Sequence, residues 1–148
     1  MKQLAFIFLL LCQLGFSQNA IPVRKSGIIF TEDYKYYAFD YFKRFTPSSQ
    51  EIQSLEKILK SNIQNKFIRR NLGKYKRQYI GFYNIQGERV ILINFLWKGW
   101  TDYDFEGNEI QTWKKEWMEI QDGGNHYWKI KYNPDTKSFY EMNVNGVG

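Results

Sequence analysis

The sequence predicts an α+β domain, one amphipathic helix packed on a curved antiparallel β-meander, and three observations carry that expectation. A capped helix start followed by an apolar stripe begins near Ser48, and it is the clearest helical pattern in the chain. Beyond Tyr75, short runs rich in β-branched and aromatic residues alternate with turns made of Gly, Asn, Asp and Pro. The alternating strand–helix rhythm of parallel sheets is missing.

The elements follow in order. Gly27 to Thr31 reads as a strand, and Tyr34 to Phe45 reads as an aromatic-rich strand region. Period two places Tyr37, Phe39 and Tyr41 on one face and Tyr36, Ala38, Asp40 and Phe42 on the other. In Thr46-Pro47-Ser48-Ser49-Gln50-Glu51, Ser48 is placed to accept from first-turn amides while Glu51 reaches back, the pattern of a capping box. Ile52, Leu55, Leu59 and Ile63 then recur at helical spacing, with Ile58 beside them. The helix is expected to end near Asn62 to Asn65, with Lys66 to Leu72 as an irregular extension before Gly73.

Tyr75 to Asn84 and Arg89 to Trp97 flank Ile85-Gln86-Gly87-Glu88, a hairpin connection. Val90 to Ile93 is apolar on both faces, which marks a covered central strand. A polar loop, Lys98 to Asn108, precedes a third strand at Ile110 to Gln121. Asp122-Gly123-Gly124-Asn125 turns the chain into His126 to Tyr132, and Asn133 to Lys137 turns it into Ser138 to Val144. The element order is analogous to the cystatin and nuclear-transport-factor architectures, an analogy of shape that carries no activity.

Residues 1–17 read as a cleaved export signal, leaving one domain over 18–148. Met1-Lys2 gives the positive start, Leu4 to Leu14 the apolar stretch, and Gly15-Phe16-Ser17 the small residues before a cut at Gln18. The stretch is about half the roughly 20 residues that a membrane span needs. Cys12 is the only cysteine, and Leu11 before it is too large for lipoprotein processing. The expected product is exported, periplasmic or secreted, and stable without disulfides.

Three groups of residues carry a resemblance. Phe45-Thr46-Pro47-Ser48, the run Leu72-Gly73-Lys74-Tyr75-Lys76-Arg77-Gln78-Tyr79-Ile80-Gly81, and Asp122-Gly123-Gly124-Asn125-His126-Tyr127-Trp128 through Val144-Asn145-Gly146 resemble a family of small secreted proteins of Bacteroidota. The resemblance implies export from a Gram-negative cell and a single domain. It brings no catalytic or binding residue with it.

The formal net charge is +6, of which Lys2 in the signal contributes one, and its distribution is uneven. From Lys57 to Gly87 there are eight basic residues and no acid, whereas Asp102 to Asp122 holds seven acids and only Lys114 and Lys115. Two readings stay open. Arg69, Arg70, Lys74 and Arg77, interleaved with aromatic rings, suit an anionic polymer. Alternatively, the basic strand faces the acidic segment and cancels it. Nucleic acid is disfavoured as a partner, because the net charge is modest and export removes it from reach.

Chemistry-bearing residue types are scarce. His126 is the only histidine, so no zinc site of the usual His/Cys type can be assembled and a catalytic histidine has no visible partner. Asp102 to Glu109 resembles the front of a calcium loop, but Trp113 stands where such loops need a bidentate Glu. Gly123-Gly124 lacks phosphate-loop spacing. No cofactor, metal site or catalytic residue is expected.

Contact-forming residues are plentiful, with 19% aromatic content. Trp113 and Trp117, four apart on the expected strand, would share a face, and Trp128 lies near the end of the next turn; these indoles either fill the core or form a platform. The expected function is a non-enzymatic binding or interaction module using an aromatic and charged sheet face. Trp113, Trp117, Trp128, Arg69, Arg70, Lys74 and Arg77 are the expected contacts, with an envelope protein or anionic glycan as partner. The alternative is a small carboxylate-based hydrolase acting on glycans.

Overall fold

The structure, a computed structural model, describes residues 19–23, 26–99 and 101–147. The expected export signal, Cys12 and Trp100 lie outside the described residues. Among the described residues, nine strands and two helices make an α+β fold whose curved, mostly antiparallel sheet stays open.

Strand β1 (Ala20–Val23) pairs antiparallel with β2 (Gly27–Phe30). After β3 (Arg44–Phe45) come helix α1 (Ser49–Asn62) and helix α2 (Lys66–Asn71). Strands β4 (Tyr75–Tyr83) and β5 (Arg89–Trp97) form the long central hairpin in the register Tyr83↔Arg89 to Tyr75↔Trp97, with Gly87 at positive φ in its turn. A small separate ribbon joins β6 (Asp102–Tyr103) to β7 (Glu109–Ile110). Strands β8 (Tyr127–Asn133) and β9 (Ser138–Val144) complete the main sheet, whose order is β1-β2-β4-β5-β8-β9 with β3 also on β4.

One pair departs from a pure meander: β2 lies parallel to β4. A parallel neighbour needs a long crossover, which residues 31–74 with both helices supply. The helical layer is built as the sequence dictates. Ser48 Oγ accepts from the Glu51 amide at 3.2 Å while the Ser48 amide donates to Glu51 Oε2 at 2.9 Å. Ile52, Leu55, Leu59 and Ile63 are buried against Tyr75, Tyr79, Ile91, Ile93 and Trp128. Each such side chain, fully buried, stabilises the fold by about 1.5–3 kcal/mol.

The expected extension at Lys66 to Leu72 is a helix of its own, started by Asn65, whose side chain accepts from the Ile68 amide at 3.1 Å. Ile63 takes an extended conformation and breaks the two helices apart.

Two expected strands are corrected. Tyr34 to Phe45 is strand only at Arg44–Phe45. Its amides bond locally, Phe39 to the Tyr36 carbonyl and Phe42 to the Phe39 carbonyl, and its Tyr34, Tyr36, Phe39 and Phe42 rings cover the helix-free face of the sheet. Ile110 to Gln121 is likewise no sheet strand: after β7 it runs as a short 3-10 turn at Thr112–Lys114 and then irregularly to β8. The place beside β5 that a third strand would take belongs to β8. Both segments form a second layer over Ile28, Phe30, Ile80, Phe82, Val90 and Leu96. Apolar cover on both sides explains the continuous hydrophobic run of β5.

Candidate functional site

Alternation along β4 sends Tyr75, Arg77 and Tyr79 towards the helices and Lys76, Gln78 and Ile80 towards the second layer. At the end of the sheet where β4 begins and β5 finishes, Lys76 therefore meets the chain that follows β7. Its Nζ stands 5.5 Å from the centroid of the Trp113 ring, and Lys114 Nζ stands 5.7 Å from the same ring. Both lysines line a cleft of about 390 Å³ together with Lys98, Glu109 and Gln111.

An indole face attracts one ammonium, but two like charges on one ring oppose each other. Burial holds the Lys76 ammonium below the ordinary lysine pKa; the Glu109 carboxylate pulls it back up and the Lys114 charge pushes it down again. Three ammonium groups share the cleft with one carboxylate, so its field favours an anion. Lys98 is fixed by its own Nζ, which donates to the Gly73 carbonyl at 2.8 Å, and by its amide, which donates to the Lys74 carbonyl at 2.8 Å.

A second feature occupies the same end of the sheet on the helix side. The rings of Trp97 and His126 lie 4.5 Å apart, and Phe67 of α2 stacks near Trp97 at 6.1 Å and 26° and near His126 at 5.9 Å. Lys74 Nζ stands 5.7 Å from the Trp97 ring. Phe67 and His126 line an open cleft of about 620 Å³ with Asp122 and Asn125. The loop that carries them is pinned where Asn65 Nδ2 donates to Asn125 Oδ1 at 2.9 Å and the Tyr75 hydroxyl donates to the Asn125 carbonyl at 2.6 Å.

The residues expected from sequence fall into three groups. Trp113 and Trp117 are 4% and 5% exposed, and Trp128 is wholly buried, flat on Phe95 with centroids 3.6 Å apart. The exposed indole platform is thus corrected. Because the segment is not a strand, Trp113 and Trp117 share no outward face; Trp117 turns its ring edge-on to Phe30 and Phe39. Arg77 is held internally: its Nε pairs with Glu56 Oε1 at 2.9 Å, and its other nitrogens donate to the carbonyls of Tyr75 and Leu72. Arg69, Arg70 and Lys74 are exposed, the arginines on α2 and Lys74 over Trp97.

Charge cancellation between the basic strand and the acidic segment is met in part. Lys76 lies near Glu109, but Arg77 turns to α1 instead. Asp102, Asp104, Glu106 and Glu109 of the acidic segment lie in the β6–β7 hairpin, where Asp104 Oδ1 accepts from the Glu106 and Asn108 amides. Among the described residues, no group of three or more His, Cys, Asp or Glu side chains is placed to hold a metal ion.

Lys98 and Lys114 were invisible as site residues. Lys114 stands in the acid-rich stretch and Lys98 at a strand end, and only the fold brings them to Lys76. The available signal was alternation along β4, which separates Lys76 from Arg77. No protein-family model, curated protein or solved structure matches the chain.

Proposed function

We propose that the protein is an exported, non-enzymatic binding module that takes an anionic ligand in the lysine cleft around Trp113. The observation that supports this reading most is the pair of ammonium groups converging on one indole ring, at 5.5 Å and 5.7 Å. An incoming sulfate, phosphate or carboxylate relieves that repulsion, and the indole behind it excludes water from one side. The hydrolase alternative needs two carboxylates facing across a cleft, and Glu109 is the only carboxylate among the residues lining this one. Export rests on residues 1–17, and the resemblance to secreted Bacteroidota proteins agrees with it.

Dextran sulfate serves as the probe. Binding at low salt should weaken steeply as salt rises, and Lys76→Gln with Lys114→Gln should lower affinity roughly tenfold or more and flatten the salt dependence. Unchanged binding by that double variant, with loss in Arg69→Gln/Arg70→Gln, would move the anion site to α2 and refute the cleft. Mass spectrometry of protein from the periplasm or medium should find an N-terminus at Gln18; an intact Met1 on cytosolic protein refutes export.

A further inference from the structure

We infer that the lysine cleft and the notch formed by Phe67, Trp97 and His126 make one continuous track for an acidic polysaccharide in which charged and neutral sugars alternate. The inference rests on the proposed anion-binding cleft and adds the class of ligand.

Continuity comes from two consecutive residues. Trp97 supplies a ring of the notch, and Lys98, the next residue, stands in the wall of the lysine cleft. Lys74 and Lys98 are joined through the backbone at 2.8 Å, with the Lys74 ammonium over Trp97 and the Lys98 ammonium on the Gly73 carbonyl. Lys74 and Lys98 thus stand between the notch and the cleft at this end of the sheet.

The two ends differ in chemistry. The cleft offers ammonium groups to a carboxylate or sulfate. The notch offers ring faces, of which Phe67 is 40% exposed, beside the Asp122 carboxylate and the Asn125 amide. A pyranose lays its C–H face on an aromatic ring while its hydroxyls donate to a carboxylate and accept from an amide. A nucleobase would also stack on these rings, but its phosphate would then approach Asp122. A polymer carrying charge on every unit is thus penalised at the notch, whereas one that alternates neutral and acidic sugars satisfies both ends. The observations favour the glycan over nucleic acid on this ground.

The test measures affinity of the purified protein for short chains of unsulfated chondroitin and hyaluronan, which alternate, and for polygalacturonate and oligo-dT, which are charged on every unit. Alternating chains should bind more tightly than the uniformly charged ones. Phe67→Ala with His126→Ala should weaken hyaluronan binding roughly tenfold while keeping the salt dependence, and Lys76→Gln with Lys114→Gln should weaken it and flatten that dependence. Asp122→Asn should raise affinity for polygalacturonate selectively.

Unsulfated chondroitin and hyaluronan affinity unaltered by the Phe67/His126 change, alongside a loss in the lysine variant, overturns the track and leaves the cleft standing. Loss in neither variant overturns both. Equal or tighter binding of oligo-dT, or no binding of either alternating chain, also overturns the track.

Discussion

Gln78 and Asn94 face each other across the central hairpin, and Asn94 Nδ2 donates to Gln78 Oε1 at 3.0 Å with both side chains buried. Their remaining polar atoms leave the sheet. Gln78 Nε2 donates to the carbonyls of Trp113 and Glu116, Asn94 Nδ2 also donates to the Met118 carbonyl, and Gln78 Oε1 accepts from the Met118 amide. Two side-chain amides thus do for this irregular segment what a neighbouring strand does elsewhere. They also hold Trp113, and with it Lys114, over Lys76.

Replacing Gln78 by Leu should therefore cost about 3 kcal/mol in a urea titration, since the Trp113 and Glu116 carbonyls, the Met118 amide and the Asn94 side chain lose a partner at once. The same variant should shift tryptophan emission to longer wavelength in native buffer as Trp113 gains solvent. A stability loss without any emission change would show that the segment stays docked by apolar contact alone.

Legibility in the sequence followed the range of the interactions involved. The α1 stripe, its capping box and the β4–β5 hairpin are local, and each was readable from spacing and turn residues. The second layer was not. Tyr34 to Phe42 and Trp113 to Ile120 have strand-forming composition, but what decides their shape is the apolar face of β2, β4 and β5 beneath them, together with Gln78 and Asn94. β-propensity reports fit to a half-buried surface and does not identify which surface. The lysine cleft depends on that same layer, so its members were readable as charges and not as neighbours.

Glu56 and Arg77 form the most enclosed ion pair, with side chains only 6% and 13% exposed, and the Tyr79 hydroxyl donates to the same carboxylate oxygen at 2.9 Å. Removing one partner strands the other in the interior. Glu56→Ala should destabilise by about 3–5 kcal/mol, and Tyr79→Phe by about 1 kcal/mol, by chemical denaturation. Dextran sulfate binding measured below the unfolding transition should remain in the Tyr79→Phe variant, because this cluster lies on the helix side of β4 and ties the strand to α1.

Acid should act through Glu51. Burial pushes its carboxyl up, but the Ser48 amide, the Arg89 guanidinium and the Ser48 hydroxyl together hold it below the ordinary value of 4.5. A depressed folded-state pKa means that the carboxylate's contribution is complete above the unfolded value and is lost as pH falls through the folded one. Stability should decline as pH drops below about 4.5, and Glu51→Gln should lower stability at neutral pH while making that acid-side decline shallower. Parallel pH profiles for the two proteins would refute the assignment.

Gly123 sets the loop that carries Asp122, Asn125 and His126. Its φ of +86° lies in the left-handed region, and a Cβ there would stand 2.5 Å from the Tyr127 ring. The conformation alone costs an alanine about 1–2 kcal/mol, and the ring lies too close to be spared by a small side-chain rotation. Gly123→Ala should therefore lower stability by about 2–4 kcal/mol and displace the Asn125 carbonyl from the Tyr75 hydroxyl, which NMR shifts of Asn125 and His126 would report. Tyr75 stands at the start of β4 on the helix side, one residue from Lys76 on the other, so the perturbation should fade at Lys76 and leave the Trp113 cleft intact. Dextran sulfate binding retained by Gly123→Ala, with hyaluronan affinity reduced, is the expected separation. Equal loss for both probes would mean that the two ends of the track respond as one rigid unit.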